Sequence, residues 1–128
     1  MSHPEVASVV KQLSQEQINR YADASGDHNP IHIDESFAKT TPLGGTVAHG
    51  MLTLASISEM MAAAFGEAWL TNGRLRVRFR NVARPADTIT AHARPQGEGG
   101  ETLTYAVECA NQNGEVLISG TVEVPVRG

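Results

Sequence analysis

The pattern of apolar and polar residues divides the chain into a helical first half and a β-rich second half. Residues 5–13 alternate loosely and predict an opening strand. A helix follows from Ser14, because Ser14 and Gln17 have the spacing of a capping box, and Gly26 marks its end. The sequence therefore predicts a strand and then an amphipathic helix between Ser14 and Gly26.

A second helix is predicted over residues 51–65, which are apolar on almost every side. Helices of this kind are normally buried. After Gly66 the period changes to two, and turn residues separate alternating stretches that predict four consecutive antiparallel strands. These stretches are RLRVRFRNV, DTITAHARP, TLTYAVECANQ and EVLISGTVEVPV.

These elements predict one α+β domain over residues 1–128. A buried helix followed by a strand meander implies a curved antiparallel sheet wrapped around a central helix, which is the hot-dog architecture. One such layer leaves sheet edges and a groove exposed. We therefore expect two chains to pair into a homodimer with a continuous sheet.

Charge and composition limit the partners and the cellular location that we expect for this protein. A formal net charge of −4 argues against non-specific nucleic-acid binding as the main role. No apolar run approaches the ~20 residues needed to cross a bilayer, and the first residues lack the apolar stretch of a secretory signal. Cys109 is the single cysteine, which suits a reducing cytoplasm. We expect a cytoplasmic protein with neither a nucleic-acid nor a membrane partner.

Chemistry-bearing side chains concentrate in residues 25–34, which read SGDHNPIHID. His28 and His32 are four residues apart, a spacing that would align two metal ligands on a helix. Asn29-Pro30 lies between them and interrupts that helix, since the residue before proline avoids helical geometry. No second pair of ligands has metal-like spacing, so we expect no metal site.

The same stretch carries the groups needed for proton transfer. An extended chain from Pro30 to Asp34 would put His32 and Asp34 on one side, while Asp27 folds back towards His32. A carboxylate and an imidazole that share a water molecule can act together as general acid and general base. Alternatively, Asp27 caps backbone N–H groups of the turn and His32 satisfies a buried carbonyl. These residues alone leave both interpretations open.

His49 and Gly50 precede the buried helix and suggest an anion site. Glycine there allows a ligand to approach the backbone, and the first N–H groups of a helix are unpaired and carry positive charge. A carbonyl oxygen aimed at them would be polarised, as an enolate-like transition state requires. Alternatively, Gly50 only permits packing and His49 only caps the helix.

An ordered set of short motifs resembles the MaoC-like family of (R)-specific enoyl-CoA hydratases: Tyr21-Ala22, SGDHNPIHID, Phe37-Ala38 and VAHGM at 47–51. The likeness is close over residues 15–65 and looser over 74–125, where Ala86 replaces a common glycine. It implies a hot-dog homodimer that adds water syn across the double bond of a trans-2-enoyl thioester. No cofactor is implied, because coenzyme A enters as part of the substrate.

The resemblance implies roles for individual residues. Asp27 and His32 would be the catalytic pair that activates water and delivers a proton to Cα. The backbone N–H of Gly50 would receive the thioester oxygen. Four residues would support them: Tyr21, Asn29, His49 and Ser58. Asn29 would fix the pair by hydrogen bonding, Ser58 would help to hold it, and His49 would shape the turn before Gly50.

Arginines recur at every second position of the first predicted strand: Arg74, Arg76, Arg78 and Arg80. In an extended strand they project to one side, while Leu75, Val77 and Phe79 face the helix. A solvated outer face explains most of them. Arg78 and Arg80, with Arg84, are candidates to bind the phosphates of coenzyme A or an acidic acyl carrier protein.

Two other functions fit the same fold. Hot-dog proteins include thioesterases, and fold alone does not fix function. A non-catalytic acyl-CoA-binding subunit that pairs with an active partner is the third hypothesis. The paired Asp27 and His32 favour water addition at carbon over both.

Overall fold

The computed structural model describes residues 3–125, apart from the side chains of residues 98 and 99. Its described strands are β1 (Val9–Gln12), β2 (Arg74–Phe79), β3 (Thr88–Gly99), β4 (Thr102–Ala110) and β5 (Val116–Pro125). Its described helices are α1 (Gln15–Ser25), α2 (Pro30–Ile33), α3 (Glu35–Ala38), α4 (Gly50–Phe65) and α5 (Glu67–Asn72). Of these helices, none is long and apolar enough to cross a bilayer.

The predicted ends of α1 are confirmed by its caps. The Ser14 hydroxyl accepts a hydrogen bond from the backbone N–H of Gln17, which satisfies one of the unpaired donors of the first turn. Gly26 ends the helix at a φ of 80°, the left-handed conformation that glycine adopts without steric cost. The loop that follows therefore starts at a fixed position and direction.

The prediction of an extended segment after Asn29 is wrong. Pro30 is the first residue of the short helix α2, a position where its missing N–H group costs no hydrogen bond. The side chain of Asn29 caps this helix by accepting from the N–H of Ile31. Asp34 caps α3 in the same way, by accepting from the N–H of Phe37. His32 is thus carried on one helical turn and not on a strand.

The helix α4 is the central helix of the domain, and its expected burial is confirmed for the side that faces the sheet, whereas the opposite side, which includes Met51, Ala55 and Ala63, is exposed in the single chain. Ile57, Met60 and Met61 are fully buried against the sheet. The six-residue helix α5 was not predicted. It buries Trp69, whose ring packs so closely on Gly73 that a Cβ atom there would lie 2.1 Å from the indole.

The sheet is antiparallel in the order β1-β3-β4-β5-β2, and its inner face packs on α4. This confirms the α+β class and the sheet wrapped around a helix. The prediction that the last four strands pair consecutively is wrong for β2, which pairs with β5 and not with β3. Gly120 permits this pairing, because a Cβ atom there would lie 2.1 Å from the carbonyl oxygen of Arg76.

The strand β2 forms an edge of the sheet, and only part of its inner face is covered. Val77 packs against the core, but Leu75 and Phe79 are 39% and 54% exposed. The prediction that all three side chains face the central helix is therefore wrong for Leu75, whereas Phe79 meets that helix at its first residue, Gly50. Their exposure leaves an apolar surface at this edge of the single chain.

Candidate active site

Asp27 and His32 face each other across the loop that joins α1 to α2. Oδ2 of Asp27 lies 3.8 Å from Nε2 of His32. The side chain of His32 is mostly buried, whereas that of Asp27 is 54% exposed. A separation of 3.8 Å is too long for a direct hydrogen bond, but a water molecule can bridge such a gap.

The hydrogen bonds of His32 fix which ring nitrogen can act as a base. Nδ1 lies 2.8 Å from the carbonyl oxygen of Val47. Because a carbonyl only accepts, Nδ1 carries the hydrogen in the neutral ring and Nε2 keeps its lone pair. The same segment is held by a backbone hydrogen bond from Val47 to Ile31 at 3.1 Å. The free lone pair of His32 is therefore the one that faces Asp27.

The position of Asp27 is set by its own loop. Oδ1 accepts a hydrogen bond from the N–H of Asn29 at 3.2 Å, and the N–H of Asp27 donates to the Ser25 hydroxyl at 3.2 Å. The predicted support from Asn29 thus comes from its backbone, while its side chain caps the helix that carries His32. Oδ2 of Asp27 takes no part in these two hydrogen bonds and faces Nε2 of His32.

His49 and Tyr21 lie on the same side of the candidate site as His32. The rings of His49 and His32 stack with centroids 3.8 Å apart and planes inclined by 23°. Tyr21 meets the His49 ring in an edge contact at 4.8 Å. Nε2 of His49 donates to the backbone carbonyl of Asp27 at 3.0 Å.

Asp27, His32 and His49 each offer one possible metal-ligand atom, and these atoms lie within 4.8 Å of one another. Imidazole binds a metal through a lone pair in the plane of the ring. Two nearly parallel, stacked rings point their lone pairs side by side, so they do not converge on a common ion. The arrangement suits proton transfer better than metal binding.

Gly50 is the first residue of α4. The first intrahelical hydrogen bonds run from Leu52 and Thr53 to the carbonyl of His49, so the N–H groups of Gly50 and Met51 lie at the positive end of the helix. A cleft of about 240 Å³ opens next to Gly50. Its largely apolar lining includes Ala48, Thr53, Phe79, Val82 and Ile118. Gly50 thus borders the apolar cleft and, through the adjacent His49 that stacks on His32, lies near the acid–base pair.

The MaoC like domain family matches residues 3–122. This chain belongs to that family. An (R)-specific enoyl-CoA hydratase of Rhodospirillum rubrum is 33% identical over 126 residues, which cover 95% of this chain and 87% of that protein. The 3-hydroxyacyl-thioester dehydratase Z of Mycobacterium tuberculosis strain H37Rv is 46% identical over 116 residues, covering 88% of this chain and 72% of the relative.

Solved structures share the fold of this MaoC-like chain. Unliganded R-hydratase PhaJ1 from Pseudomonas aeruginosa superposes with a TM-score of 0.85 at 24% identity, covering 98% of this chain and 81% of that one. An (R)-hydratase from A. caviae involved in PHA biosynthesis gives a TM-score of 0.83 at 21% identity, covering 99% and 98%. The hot-dog fold predicted from the sequence is confirmed.

Ser58 of this MaoC-like chain lies apart from the pair. Its hydroxyl accepts a hydrogen bond from Nε1 of Trp69 at 3.0 Å. Eight residues beyond Gly50, it is about 12 Å further along α4 at the helical rise. Within the described part of the chain it makes no hydrogen bond to Asp27 or His32. The single chain therefore does not support the role implied for Ser58 and gives it a packing role between α4 and α5.

The three candidate arginines do not form one cluster. Arg80 lines the cleft beside Gly50, and its Nε donates to the Ser119 hydroxyl at 2.6 Å. Arg78 is exposed on β2, and Arg84 lies in the turn before β3, where its N–H donates to Asp87. Of the three candidates, Arg80 is thus the one that lines the cleft next to Gly50.

Two residues of the site were not found from the sequence. Val47 acts through its carbonyl oxygen, so its side chain gives no signal. Phe79 was assigned to the core by strand alternation, yet its ring lies over Gly50 and borders the cleft. The only available signal for Val47 was its place in the Val47-Ala48-His49-Gly50 motif, and the contact of its carbonyl with His32 appears only in the fold.

Proposed function

We propose that this protein catalyses the (R)-specific hydration of trans-2-enoyl-CoA to (R)-3-hydroxyacyl-CoA, or the reverse dehydration. The observation that carries the proposal is the pairing of the free His32 Nε2 with the Asp27 carboxylate at 3.8 Å. The names of the relatives, an enoyl-CoA hydratase and a hydroxyacyl-thioester dehydratase, support the same reaction.

The reaction needs two proton transfers and one new C–O bond. A water held between Asp27 and His32 loses one proton to the pair as its oxygen bonds to Cβ of the enoyl group. The π electrons of the double bond move to Cα, which takes a proton from the same pair. Because both groups lie on one face of the substrate, the addition is syn. No electrons leave the substrate, so no redox cofactor is required.

The thioester carbonyl is the group whose charge grows as Cα becomes enolate-like. We assign its oxygen to the N–H of Gly50 at the start of α4, where the helix dipole favours negative charge. The acyl chain then enters the apolar cleft next to Gly50. Arg80, with Arg78 and Arg84, would meet the phosphates of coenzyme A or an acidic acyl carrier protein.

The same proposal includes a homodimer and a cytoplasmic location. The exposed inner face of β2 supports pairing of two chains, because an uncovered edge strand with apolar side chains is a surface for further strand pairing. The single, buried cysteine suits a reducing compartment.

One assay separates hydration from its alternatives. The protein is incubated with crotonyl-CoA while the enoyl absorbance and free thiol are followed together. Loss of enoyl absorbance without thiol release supports hydration, and chiral analysis of the product then tests for the (R) isomer. Thiol release indicates a thioesterase. Binding without either change indicates a non-catalytic acyl-CoA-binding subunit.

A further inference from the structure

His49 contacts both members of the catalytic pair, and it uses a different part of its ring for each. Nε2 of His49 donates to the backbone carbonyl of Asp27, and the ring face of His49 stacks on His32. Tyr21 packs against the ring from a third direction. Because His49 is only 3% exposed, these contacts are made in the protein interior.

The loop that carries Asp27 depends on this contact. Its other hydrogen bonds join residues five or fewer positions apart, such as Asp27 to Ser25 and His28 to Asp23. Across residues 3–125, the hydrogen bond from His49 is the one that ties residues 26–29 to a distant segment. The exposed loop is therefore anchored to the core through His49.

The hydrogen bonds also assign the hydrogens of the two stacked rings. The carbonyl of Asp27 accepts from Nε2 of His49, whereas the carbonyl of Val47 accepts from Nδ1 of His32. The neutral rings therefore hold opposite tautomers. Nδ1 of His49 is buried and has no partner among the described residues. A second hydrogen there would be a buried donor without an acceptor, which is costly.

We infer that His49 is a positioning residue that sets the distance between Asp27 and His32. It fixes the Asp27 backbone through its Nε2–H and supports the His32 ring with its face, and it holds the tautomer opposite to that of His32. The inference rests on the proposed function, because the distance that His49 sets is the one across which water is activated. Small displacements of catalytic groups strongly lower the reaction rate.

Two substitutions separate the hydrogen bond from the stacking contact. His49→Phe keeps a ring and removes the donor, whereas His49→Gln keeps an amide donor near Nε2 and removes the ring. We expect His49→Phe to lower kcat with crotonyl-CoA on the order of 10- to 100-fold at nearly unchanged KM. We expect His49→Gln to recover part of that loss. His28→Gln is the matched control, because this exposed residue lies in the same loop and should leave kcat unchanged.

A wild-type kcat in His49→Phe would overturn the inference, as would a loss that equals the fall in folded fraction measured by circular dichroism. A second measurement uses only the wild-type protein, so it does not depend on whether the variants fold. Nitrogen-15 NMR of the wild-type protein should show the hydrogen on Nε2 of His49 and on Nδ1 of His32. The same tautomer in both rings would overturn the inference. Failure of the wild-type protein to consume crotonyl-CoA would instead refute the proposed function, whatever the tautomers.

Discussion

The ring of Phe79 lies directly over the Cα atom of Gly50, so that a Cβ atom added to Gly50 would lie 3.0 Å from Cε1 of the ring. That distance is tighter than in most real Cβ contacts, so the Phe79 ring would have to shift by a few tenths of an ångström. The contact explains why glycine occupies this position although its φ is ordinary. It also joins the edge strand β2 to the proposed oxyanion site.

Gly50→Ala should therefore destabilise the protein and lower its activity. The added methyl group pushes the Phe79 ring aside; overpacking costs about 1–3 kcal/mol in a closed core, and because this ring is 54% exposed and can move, the stability loss should lie at or below the lower end of that range. Thermal unfolding and crotonyl-CoA turnover measure the two effects. The double variant Gly50→Ala/Phe79→Ala should recover the lost stability, because the alanine at 79 removes the clash. Equal stability losses in the single and double variants would contradict the steric explanation.

Asp27→Asn and His32→Gln should each retain the fold and lose hydration. Each removes one of the two groups that share the water, and positioned acid–base groups typically contribute about 10²–10⁴-fold to a rate. Because the pair acts as a unit, the double variant should lose little more than either single variant. Initial rates of enoyl consumption, with circular dichroism as a fold control, test this. A near-wild-type rate in either single variant would show that the substituted residue is not catalytic.

Removal of divalent metals should leave activity unchanged. The stacked His32 and His49 rings do not direct their lone pairs at a common ion. Rates are compared before and after dialysis against EDTA, and bound metal is measured by mass spectrometry. Activity that falls on dialysis and returns with Zn²⁺ would show that these histidines are ligands after all.

Leu75→Lys should shift the protein from dimer to monomer. Leu75 is 39% exposed on the inner face of β2, and a lysine there would place a charge in the proposed contact between two sheets. Analytical ultracentrifugation at several concentrations measures the change. Val10→Lys on β1 is the matched control at the opposite edge of the sheet and should remain dimeric. A monomeric Val10→Lys with a dimeric Leu75→Lys would place the interface at the other edge.

Folding stability should fall at alkaline pH through Cys109. Burial raises the pKa of this thiol, and its hydrogen bond with Ser56 offsets part of that rise. The folded protein thus keeps a proton that the unfolded chain loses above about pH 8.5, so the stabilisation is complete below that pH and declines above it.

The Cys109→Ala variant isolates this contribution. Urea unfolding at a series of pH values should give a flatter decline above about pH 8.5 for the variant than for the wild-type protein. Burial also raises the pKa of Tyr105, but that group titrates in both proteins and cancels in the comparison. An equal decline in unfolding free energy for the two proteins would show that the Cys109 thiol does not contribute to the pH dependence of stability.

The sequence predicted the features that neighbouring residues determine. Ser14 and Gly26 delimit α1 because a cap and a left-handed glycine act within one turn. The proximity of Asp27 and His32, which are five positions apart, was likewise predicted from one short loop. Pro30 was misread, since the same residue that interrupts one helix is well suited to begin the next.

The features that sequence reasoning missed depend on distant contacts. Whether β2 pairs with β3 or with β5 is decided by packing across the whole sheet, and alternation along β2 is the same in both cases. The resemblance assigned Ser58 to the site, but Nε1 of Trp69, on the unpredicted helix α5, donates to its hydroxyl. The carbonyl of Val47 could be identified only once the fold placed it beside His32.

The strand order also governs when the domain can form. The strand β2 finds its partner about forty residues later, in β5, which also pairs with β4. As the chain emerges from the ribosome, β2 therefore waits unpaired, with its apolar inner residues uncovered, until residues 116–125 have been synthesised. During that interval the uncovered strand β2 is open to wrong strand pairing, and a chaperone that shields it would act then.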